Sequence, residues 1–212
     1  MKIRSLLELS DFLDSELSWR KKELTAIKLM LGSLRSHERG AMLRAGLCLL
    51  YAHWEGFVKN AATSYVTYVS TQGLKYCELS PNFVALGFRG QIKEAGASNR
   101  HSLHTNLVAQ IRSDLEDRAS LSPDTAVDTA SNLNFKVFED VLCILGLNGN
   151  AYSSKKALID ERLVRNRNQV AHGQYLEIEE GEYLDLHSNI IAMVDLFRNE
   201  LENAAATTAY KV

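Results

Sequence analysis

The sequence is short of several features that mark particular protein classes. Of its 212 residues only two are proline and three are cysteine, and Cys48, Cys77 and Cys143 show no CxxC spacing. This pattern excludes a disulfide-stapled secreted scaffold and a cysteine-based zinc site. The scarcity of proline favours helices, which proline breaks. We expect reduced thiols, with Cys48 and Cys143 packed in helices as small apolar side chains.

Neither net charge nor long apolar runs stand out. The formal net charge is −2, so the chain lacks the strongly positive field of a general nucleic-acid binder, and any such contact must be local. No stretch of about 18 uncharged apolar residues is present, and the first 17 residues lack the apolar core of a signal peptide. We therefore expect a soluble, cytoplasmic protein without a membrane partner.

The common catalytic signatures are also missing. The sequence contains no HExxH, no phosphate-binding glycine loop and no GxSxG. His101 and His104 can share a helical face, but no carboxylate or cysteine stands at a helpful spacing for a metal site. The sequence therefore predicts neither a metal nor another cofactor.

What the sequence does contain is helical periodicity, which predicts an all-α fold in a single domain over residues 1–212. We place a first helix from Ser10-Asp11 and a second from near Glu38 to near Gly73. The second helix carries a continuous apolar face, which consists of Leu43, Leu47, Leu50, Trp54, Phe57, Ala61, Tyr65 and Tyr68. Only YLEIE, residues 175–179, alternates as a strand does.

The second half of the chain divides at capping and turn residues. Two helices are predicted over 81–95 and 102–118, followed by a surface loop over 120–132. Asn134 is a predicted N-cap for a helix that stops in the turn at 147–150. A further helix starts at Ser153-Ser154 and runs to the stop at Gly173, and the last helix spans 181–204.

The stretch RNRNQVAHG, residues 165–173, places charged side chains on a helix that packs against a core. On a helical wheel Arg167 falls in the middle of the apolar arc, while Arg165 and His172 lie on the opposite side with Asn168 nearby. A guanidinium on a packing face is costly unless it is paired or lies in a cleft or an interface. The first explanation is a buried carboxylate partner for Arg167 and a histidine favoured by the helix C-terminus. The second explanation is that these charged residues belong to an active site.

Three blocks of the sequence resemble the HEPN superfamily. RNQVAHG, residues 167–173, resembles its motif of arginine, polar residue, short spacer and histidine. Residues 51–69 and 131–147 resemble further segments of one branch, the small bacterial HEPN-like nucleases linked to restriction, defence and toxin–antitoxin loci. This resemblance implies an all-helical bundle that dimerises about a two-fold axis. It also implies RNA cleavage without a metal, by arginine and histidine of both subunits.

The resemblance assigns roles to individual residues. His172 would be the proton shuttle, Arg167 the phosphate clamp, and Asn168, four residues before His172, would orient the imidazole or the substrate. Arg165 also fits the superfamily pattern, with a six-residue spacer instead of four. We favour Arg167, because its place on the apolar arc needs a cleft or an interface.

Glu55, His53 and Tyr175 lie outside the RNRNQVAHG stretch and have separate expected roles. Glu55 lies at the edge of the apolar face of the second helix and is expected to support the site, by pairing with Arg167 or tuning His172. His53 lies on the other flank and is expected at the surface. Tyr175 follows the histidine by three residues, whereas one HEPN subgroup has a tyrosine two residues after it, which a nucleotidyltransferase partner modifies. That departure puts this mode of neutralisation in doubt.

These observations favour one function over two alternatives. The leading hypothesis is a homodimeric, metal-independent endoribonuclease that acts on RNA as a toxin or effector, controlled by a cognate antitoxin or a neighbouring defence protein. The first alternative is a non-catalytic helical module that binds nucleic acid or a partner protein through the same cleft. The second is a helical scaffold with a paired core arginine.

Overall fold

The computed structural model describes residues 3–129 and 132–212, and within these ranges the chain is helical. We number the α-helices as follows: α1 Leu6–Leu31, α2 Ser36–Thr71, α3 Pro81–Gly87, α4 Arg89–Gly96, α5 His101–Asp114, α6 Pro123–Ala126, α7 Phe135–Leu145, α8 Asn166–Ala171 and α9 Glu180–Ala206. Two 3₁₀ segments, Tyr76–Glu78 and Gly149–Lys155, and a π-helix, Leu158–Arg165, complete the secondary structure. In these ranges the extended pairing is limited to two isolated bridges, Lys75–Arg118 and Leu79–Lys211. The prediction of an all-α fold is confirmed.

Helix α2 is the centre of the molecule, and α1, α7 and α9 pack around it. The predicted apolar face of α2 is buried throughout, from Leu43 to Tyr68. Its aromatic side chains meet those of α7 and α9 edge-on. The Trp54 and Phe138 rings have centroids 4.9 Å apart, and those of Phe57 and Phe197 are 6.5 Å apart. The aromatic residues of this face are therefore core, which fixes the orientation of α2 toward the rest of the bundle.

Local capping decides where α1 begins. The Ser5 hydroxyl accepts a hydrogen bond from the Glu8 amide at 3.2 Å, and the Glu8 carboxylate accepts one from the Ser5 amide at 3.1 Å. This reciprocal pair is a capping box, and it starts the helix at Leu6. The predicted start at Ser10-Asp11 was wrong because the capping box lies upstream of it.

The predicted helix over 81–95 is divided into α3 and α4 at Phe88. Phe88 has φ −97° and ψ 14°, outside the helical region, and its ring packs against Tyr76 with centroids 4.8 Å apart. The Phe88 side chain is buried at this break between the two helices. Helix α5 ends at Asp114, four residues before the predicted boundary.

The predicted surface loop over 120–132 is partly a packed segment. It contains α6, and it buries the side chains of Leu121, Ala126, Val127 and Thr129. Residues 130 and 131 lie outside the described part. Its helix α6 lies against α2.

Helix α7 has the predicted N-cap. The Asn134 side chain accepts a hydrogen bond from the Val137 amide at 3.0 Å. At the other end Gly146 adopts φ 70°, a left-handed conformation that glycine tolerates, and it stops the helix before the predicted turn at 147–150. Cys143 lies on the exposed side of α7 and Cys48 is half-buried, so the expectation that Cys143 is packed was wrong.

The last helix, α9, extends slightly beyond its predicted bounds at both ends. YLEIE, residues 175–179, belongs to the connection that leads into it and forms no strand. Among the described helices, none combines the length and the apolar composition that crossing a membrane requires.

Candidate active site

The helix that carries the RNRNQVAHG stretch is not a regular α-helix. Its first part is the π-helix Leu158–Arg165, and α8 continues it to Ala171. The buried apolar residues come in two pairs, Leu158-Ile159 and Leu163-Val164, which are five residues apart. The i→i+5 hydrogen bonding of a π-helix brings residues at this spacing onto one face. We call Leu158–Arg165 and α8 together the motif helix.

The π-helix changes the wheel that a regular helix predicts. Ile159, Leu163 and Val164 are buried as expected, and Val170 is half-buried. Ala171, which the regular wheel puts on the apolar arc, is exposed. It is the last residue of α8, where the helix passes beyond the core. Segments of π-helix within longer helices occur frequently at functional sites.

Arg167 is half-buried on the side of the motif helix that faces α2, as predicted. Its guanidinium carbon lies 3.6 Å from the centre of the Tyr51 ring. Its charge lowers the pKa of the Cys48 thiol, against the larger raising effect of burial. The electron-rich face of an aromatic ring stabilises a cation that is partly removed from water. An aromatic ring of α2 thus offsets part of the cost of placing this charge on a packing face.

Tyr51 is itself held in place. It is buried, and its hydroxyl accepts a hydrogen bond from the Leu133 amide at 2.8 Å. Burial raises the pKa of the hydroxyl, and this amide lowers it. The nearby charges have opposite effects, since Glu55 raises the pKa and Arg167 lowers it. Glu55 therefore stands close to the pair of Tyr51 and Arg167, and it is half-buried at the edge of the core as its sequence position indicates.

His172 lies at the C-terminal end of the motif helix and is exposed. Its amide donates to the Asn168 carbonyl at 3.0 Å. The chain then turns at Gly173, which has φ 73°. The Gly173 amide donates to the Val170 carbonyl and the Gln174 amide to the Gln169 carbonyl, each at 3.0 Å. This is a Schellman motif, so Gly173 ends the helix as predicted and fixes the direction in which the chain leaves it.

His172 lines a shallow groove with a volume of about 420 Å³. The groove is lined by Asp160, Val164, Arg165, Asn168, Gln169, His172 and Gln174. Three of the predicted site residues, Arg165, Asn168 and His172, thus share one surface. Arg165 forms an ion pair of 2.9 Å with Glu161, and both side chains are about two-thirds exposed, at 67% and 61%.

Arg167 is not part of the described lining of this groove. It contacts α2, whereas His172 lies five residues further along the chain, just past the end of α8, and lines the groove. One chain thus presents the arginine and the histidine on two flanks of the motif helix. The sequence left open whether Arg165 or Arg167 is the operative arginine. In the structure the two differ in position, because Arg165 shares a groove with His172 and Arg167 does not.

Asp160 is a residue of this region that the sequence did not single out. One of its carboxylate oxygens accepts a hydrogen bond from the Phe135 amide, at the first residue of α7, at 2.7 Å. The same side chain lines the groove of His172. The five-residue spacing of the apolar pairs in LIDERLV was the available signal for the π-helix and hence for the placement of Asp160.

Tyr175 lies three residues beyond His172 and is 80% exposed. The Arg44 guanidinium carbon is 5.2 Å from the centre of its ring, and Arg44 also donates to the Leu176 carbonyl at 3.4 Å. The structure therefore holds this tyrosine against Arg44 of α2, in the connection between α8 and α9.

Two of the other histidines, His53 and His104, have structural surroundings. His53, expected at the surface, is buried, with its Nε2 atom 2.6 Å from the Glu23 carboxylate and its ring against Trp19. Helix α1 covers it, which a wheel of α2 alone does not reveal. His104 Nε2 lies 3.0 Å from the carbonyl oxygens of Ala95 and Ser98. In the ranges 3–129 and 132–212, no group of three or more histidine, cysteine or acidic side chains is arranged to hold a metal.

Comparison with known protein families gives a match. The model of the HEPN_MAE_28990-like HEPN family matches residues 9–210, nearly the whole chain. Neither the curated proteins nor the solved structures gave a match. The matched region includes the central helix α2, the motif helix and the all-α core that holds them together. The chain therefore belongs to the HEPN_MAE_28990-like HEPN family, within the HEPN superfamily.

Proposed function

We propose that this protein is a metal-independent endoribonuclease whose site combines Arg167 and His172 from the two subunits of a homodimer. The observation that carries the proposal is the contrast between these residues. Arg167 is half-buried and stacked at 3.6 Å on the Tyr51 ring, while His172 is exposed at the end of the same helix. A positioned cation and an accessible imidazole, brought together across the dimer, are the two groups that this phosphodiester cleavage uses.

In this mechanism His172 removes the proton from the RNA 2′-hydroxyl. The 2′-oxygen attacks the adjacent phosphorus, the bond from phosphorus to the 5′-oxygen breaks, and the proton passes from His172 to the leaving oxygen. The products are a 2′,3′-cyclic phosphate and a 5′-hydroxyl. Histidine suits this role because its ordinary pKa, about 6.5, lies near neutral pH.

Arg167 binds the reacting phosphate in the same mechanism. Its planar guanidinium can donate two parallel hydrogen bonds to the non-bridging oxygens and stabilise the charge that develops on them. Stacking on Tyr51 restricts its orientation before substrate binds, which reduces the entropy lost on binding. Asn168 lies in the groove of His172 and orients the imidazole or the substrate. Glu55 supports the arrangement through Tyr51.

The placement of the two side chains supports a dimer. Since Arg167 and His172 occupy different flanks of one motif helix, a site that uses both is completed most directly by a second copy. In a two-fold dimer the motif helices approach each other, and each site takes one residue from each chain. Such a nuclease would act as the toxin or effector of a bacterial defence or toxin–antitoxin system, restrained by a cognate antitoxin or a neighbouring defence protein.

The deciding experiment is RNA cleavage by the purified protein in excess EDTA, with the product ends identified. We expect activity that chelation does not remove, and termini of the 2′,3′-cyclic phosphate and 5′-hydroxyl type. His172→Ala and Arg167→Ala should each lower the rate by roughly 10²- to 10⁴-fold. Arg165→Ala is the matched control on the same helix, and it should cost much less because its ion pair with Glu161 is exposed.

Three outcomes would change the conclusion. Loss of cleavage on chelation would contradict the metal-independent mechanism. Full activity of a folded His172→Ala protein would remove the catalytic proposal, and RNA or protein binding through the same surfaces would replace it. If Arg165→Ala proved the damaging substitution, the nuclease would stand with the groove of Arg165, Asn168 and His172 as its site.

A further inference from the structure

We infer that Tyr175, supported by Arg44, is a stacking platform for an unpaired nucleobase of the RNA, next to the phosphate that is cleaved. This inference rests on the proposed function and adds to it the kind of RNA, single-stranded at the site, and the residue that recognises it. The first feature that supports it is the exposure of Tyr175. At 80% exposed, its ring is the most exposed aromatic side chain in the described ranges, ahead of Trp19 at 46%.

The Tyr175 ring is oriented although it is exposed. The Schellman motif at Gly173 sets the course of the chain immediately before it. Arg44 places its guanidinium carbon 5.2 Å from the ring centre and donates to the Leu176 carbonyl at 3.4 Å. The Arg44 guanidinium thereby covers one face of the Tyr175 ring. Because Tyr175 is exposed, part of the ring stays accessible to a second flat group. Aromatic rings that lie partly open in this way stack nucleobases of any sequence.

Helix α2 places this platform in line with the phosphate clamp. Arg44 and Tyr51 are seven residues apart, which is two turns, so they share one face of α2 about 10 Å apart along its axis. Tyr175 lies over the first of them and Arg167 over the second. The ring that would bind a base and the guanidinium that would bind a phosphate therefore sit above the same helix face, at a distance that a short extended RNA segment bridges.

The carboxylates in the connection that carries Tyr175 favour a base over a phosphate, while Arg44 is already engaged with the ring and the Leu176 carbonyl. Glu177 and Glu179 are exposed in the same connection, and Glu180 is paired with Arg39 at 3.2 Å. These carboxylates repel phosphate, whereas they impose no penalty on the uncharged face of a base. Single-stranded RNA offers such faces, while a duplex keeps them stacked internally.

The test uses single-stranded RNA that carries 2-aminopurine at successive positions around the cleavage site, titrated with the full-length protein and its variants. Stacking quenches the fluorescence of this base, so binding is read independently of cleavage. We expect quenching at one position beside the scissile phosphate with the unaltered protein and with Tyr175→Phe. Tyr175→Ala should abolish the quenching and weaken affinity by roughly 5- to 150-fold, the range of one base stack.

A second measurement separates stacking from a structural role. In steady-state cleavage, Tyr175→Ala should raise KM with a smaller change in kcat. An abasic nucleotide at the quenched position should impose the same loss on the unaltered protein and no further loss on Tyr175→Ala. Leu29→Ala, at a position 74% exposed on α1, is the control for removal of exposed apolar surface. It should change neither KM nor kcat.

The outcomes distinguish this inference from the proposed function. If the protein cleaves RNA and Tyr175→Ala matches Tyr175→Phe in affinity, quenching and KM, the platform is overturned while the nuclease stands. If quenching occurs but no cleavage does, the platform stands and the catalytic proposal fails. If RNA causes no quenching at any position, and Tyr175→Ala instead weakens binding of a partner protein, the exposed ring belongs to a protein interface and the inference is wrong.

Discussion

The Arg167 guanidinium carbon lies 3.6 Å from the centre of the Tyr51 ring, and the Tyr51 hydroxyl accepts the Leu133 amide at 2.8 Å. One tyrosine thus joins the motif helix to α2 and to the segment that precedes α7. Its ring and its hydroxyl have separate functions, and two substitutions separate them.

Tyr51→Phe keeps the ring under Arg167 and removes the acceptor of the Leu133 amide. It should retain most RNA cleavage and lose about 1 to 3 kcal/mol of unfolding free energy, because a buried donor is left unsatisfied. Tyr51→Leu removes both, and it should also lower kcat/KM by roughly 2- to 30-fold, the value of a cation–π contact that is partly desolvated. Steady-state kinetics measures kcat/KM of the two variants, and urea unfolding measures their unfolding free energies. Equal kinetics for the two variants would show that the ring does not position Arg167.

The composite site predicts complementation between two inactive proteins. Arg167→Ala and His172→Ala should each be inactive dimers by light scattering. After mixing with subunit exchange, half of the dimers contain both variants, and each of these has one intact site of two. We expect recovery of about one quarter of the unaltered rate. A protein that stays monomeric at all concentrations, or mixed dimers with no recovered activity, would contradict a site shared between subunits.

Gly46 of α2 should not tolerate a side chain. A Cβ atom at this position would lie 2.9 Å from the hydroxyl oxygen of Tyr183, whose ring is buried. Gly46→Ala should therefore lose about 1 to 3 kcal/mol of unfolding free energy through overpacking. Gly40→Ala, on the same helix, is the matched control, since its Cβ would meet only Arg44 at 3.8 Å. The control should be neutral or stabilising, because alanine favours a helix interior. Denaturant unfolding of Gly46→Ala and Gly40→Ala measures the two changes in unfolding free energy.

Asp160 should matter for the junction between the motif helix and α7. Its carboxylate accepts the Phe135 amide at 2.7 Å, as an N-cap side chain does, although it comes from another helix. Asp160→Ala should cost about 0.5 to 2 kcal/mol of unfolding free energy. Asp160→Asn keeps an acceptor and should cost less. Glu161→Ala removes the neighbouring carboxylate from an exposed ion pair and should have little effect. A thermal melt in which Asp160→Ala behaves like Glu161→Ala would refute this role.

Two buried histidines predict a loss of stability in mild acid. Burial lowers the pKa of His53, against the opposing effect of Glu23 and with a smaller contribution from Arg20. Burial also lowers the pKa of His187, assisted by Lys28 and opposed by the hydrogen bond with the Leu24 backbone. Above the unfolded-state pKa of about 6.5 both states are neutral at these residues. Below it the unfolded chain binds protons that the folded chain refuses, so stability falls as pH falls.

The corresponding measurement is the unfolding free energy at pH 7.5 and at pH 5.5. We expect a smaller value at the lower pH, and a smaller difference between the two in the His53→Gln and His187→Gln proteins. The variants are compared with each other because carboxylates also titrate in acid. The same pH dependence in the double variant as in the unaltered protein would show that neither histidine contributes.

The sequence alone determined the features that short-range physics controls. The apolar face of α2 follows from spacing along one helix, and the ends at Asn134 and Gly173 follow from the side-chain acceptor of asparagine and the left-handed conformation that glycine allows. The same periodicity placed Arg167 on the packing side of its helix. Each of these depends on residues within a few positions of one another, so a single segment contains the required information.

Only the tertiary structure decided which surfaces meet. Tyr51 lies under Arg167 and Arg44 under Tyr175 because α2 and the end of the motif helix pack together, and no local pattern specifies that choice. The burial of His53 depends on α1 in the same way. The π-helix depends on burying two apolar pairs five residues apart against the rest of the core. Contacts between distant segments arise from the cooperative burial of many faces at once, which no single stretch of sequence encodes.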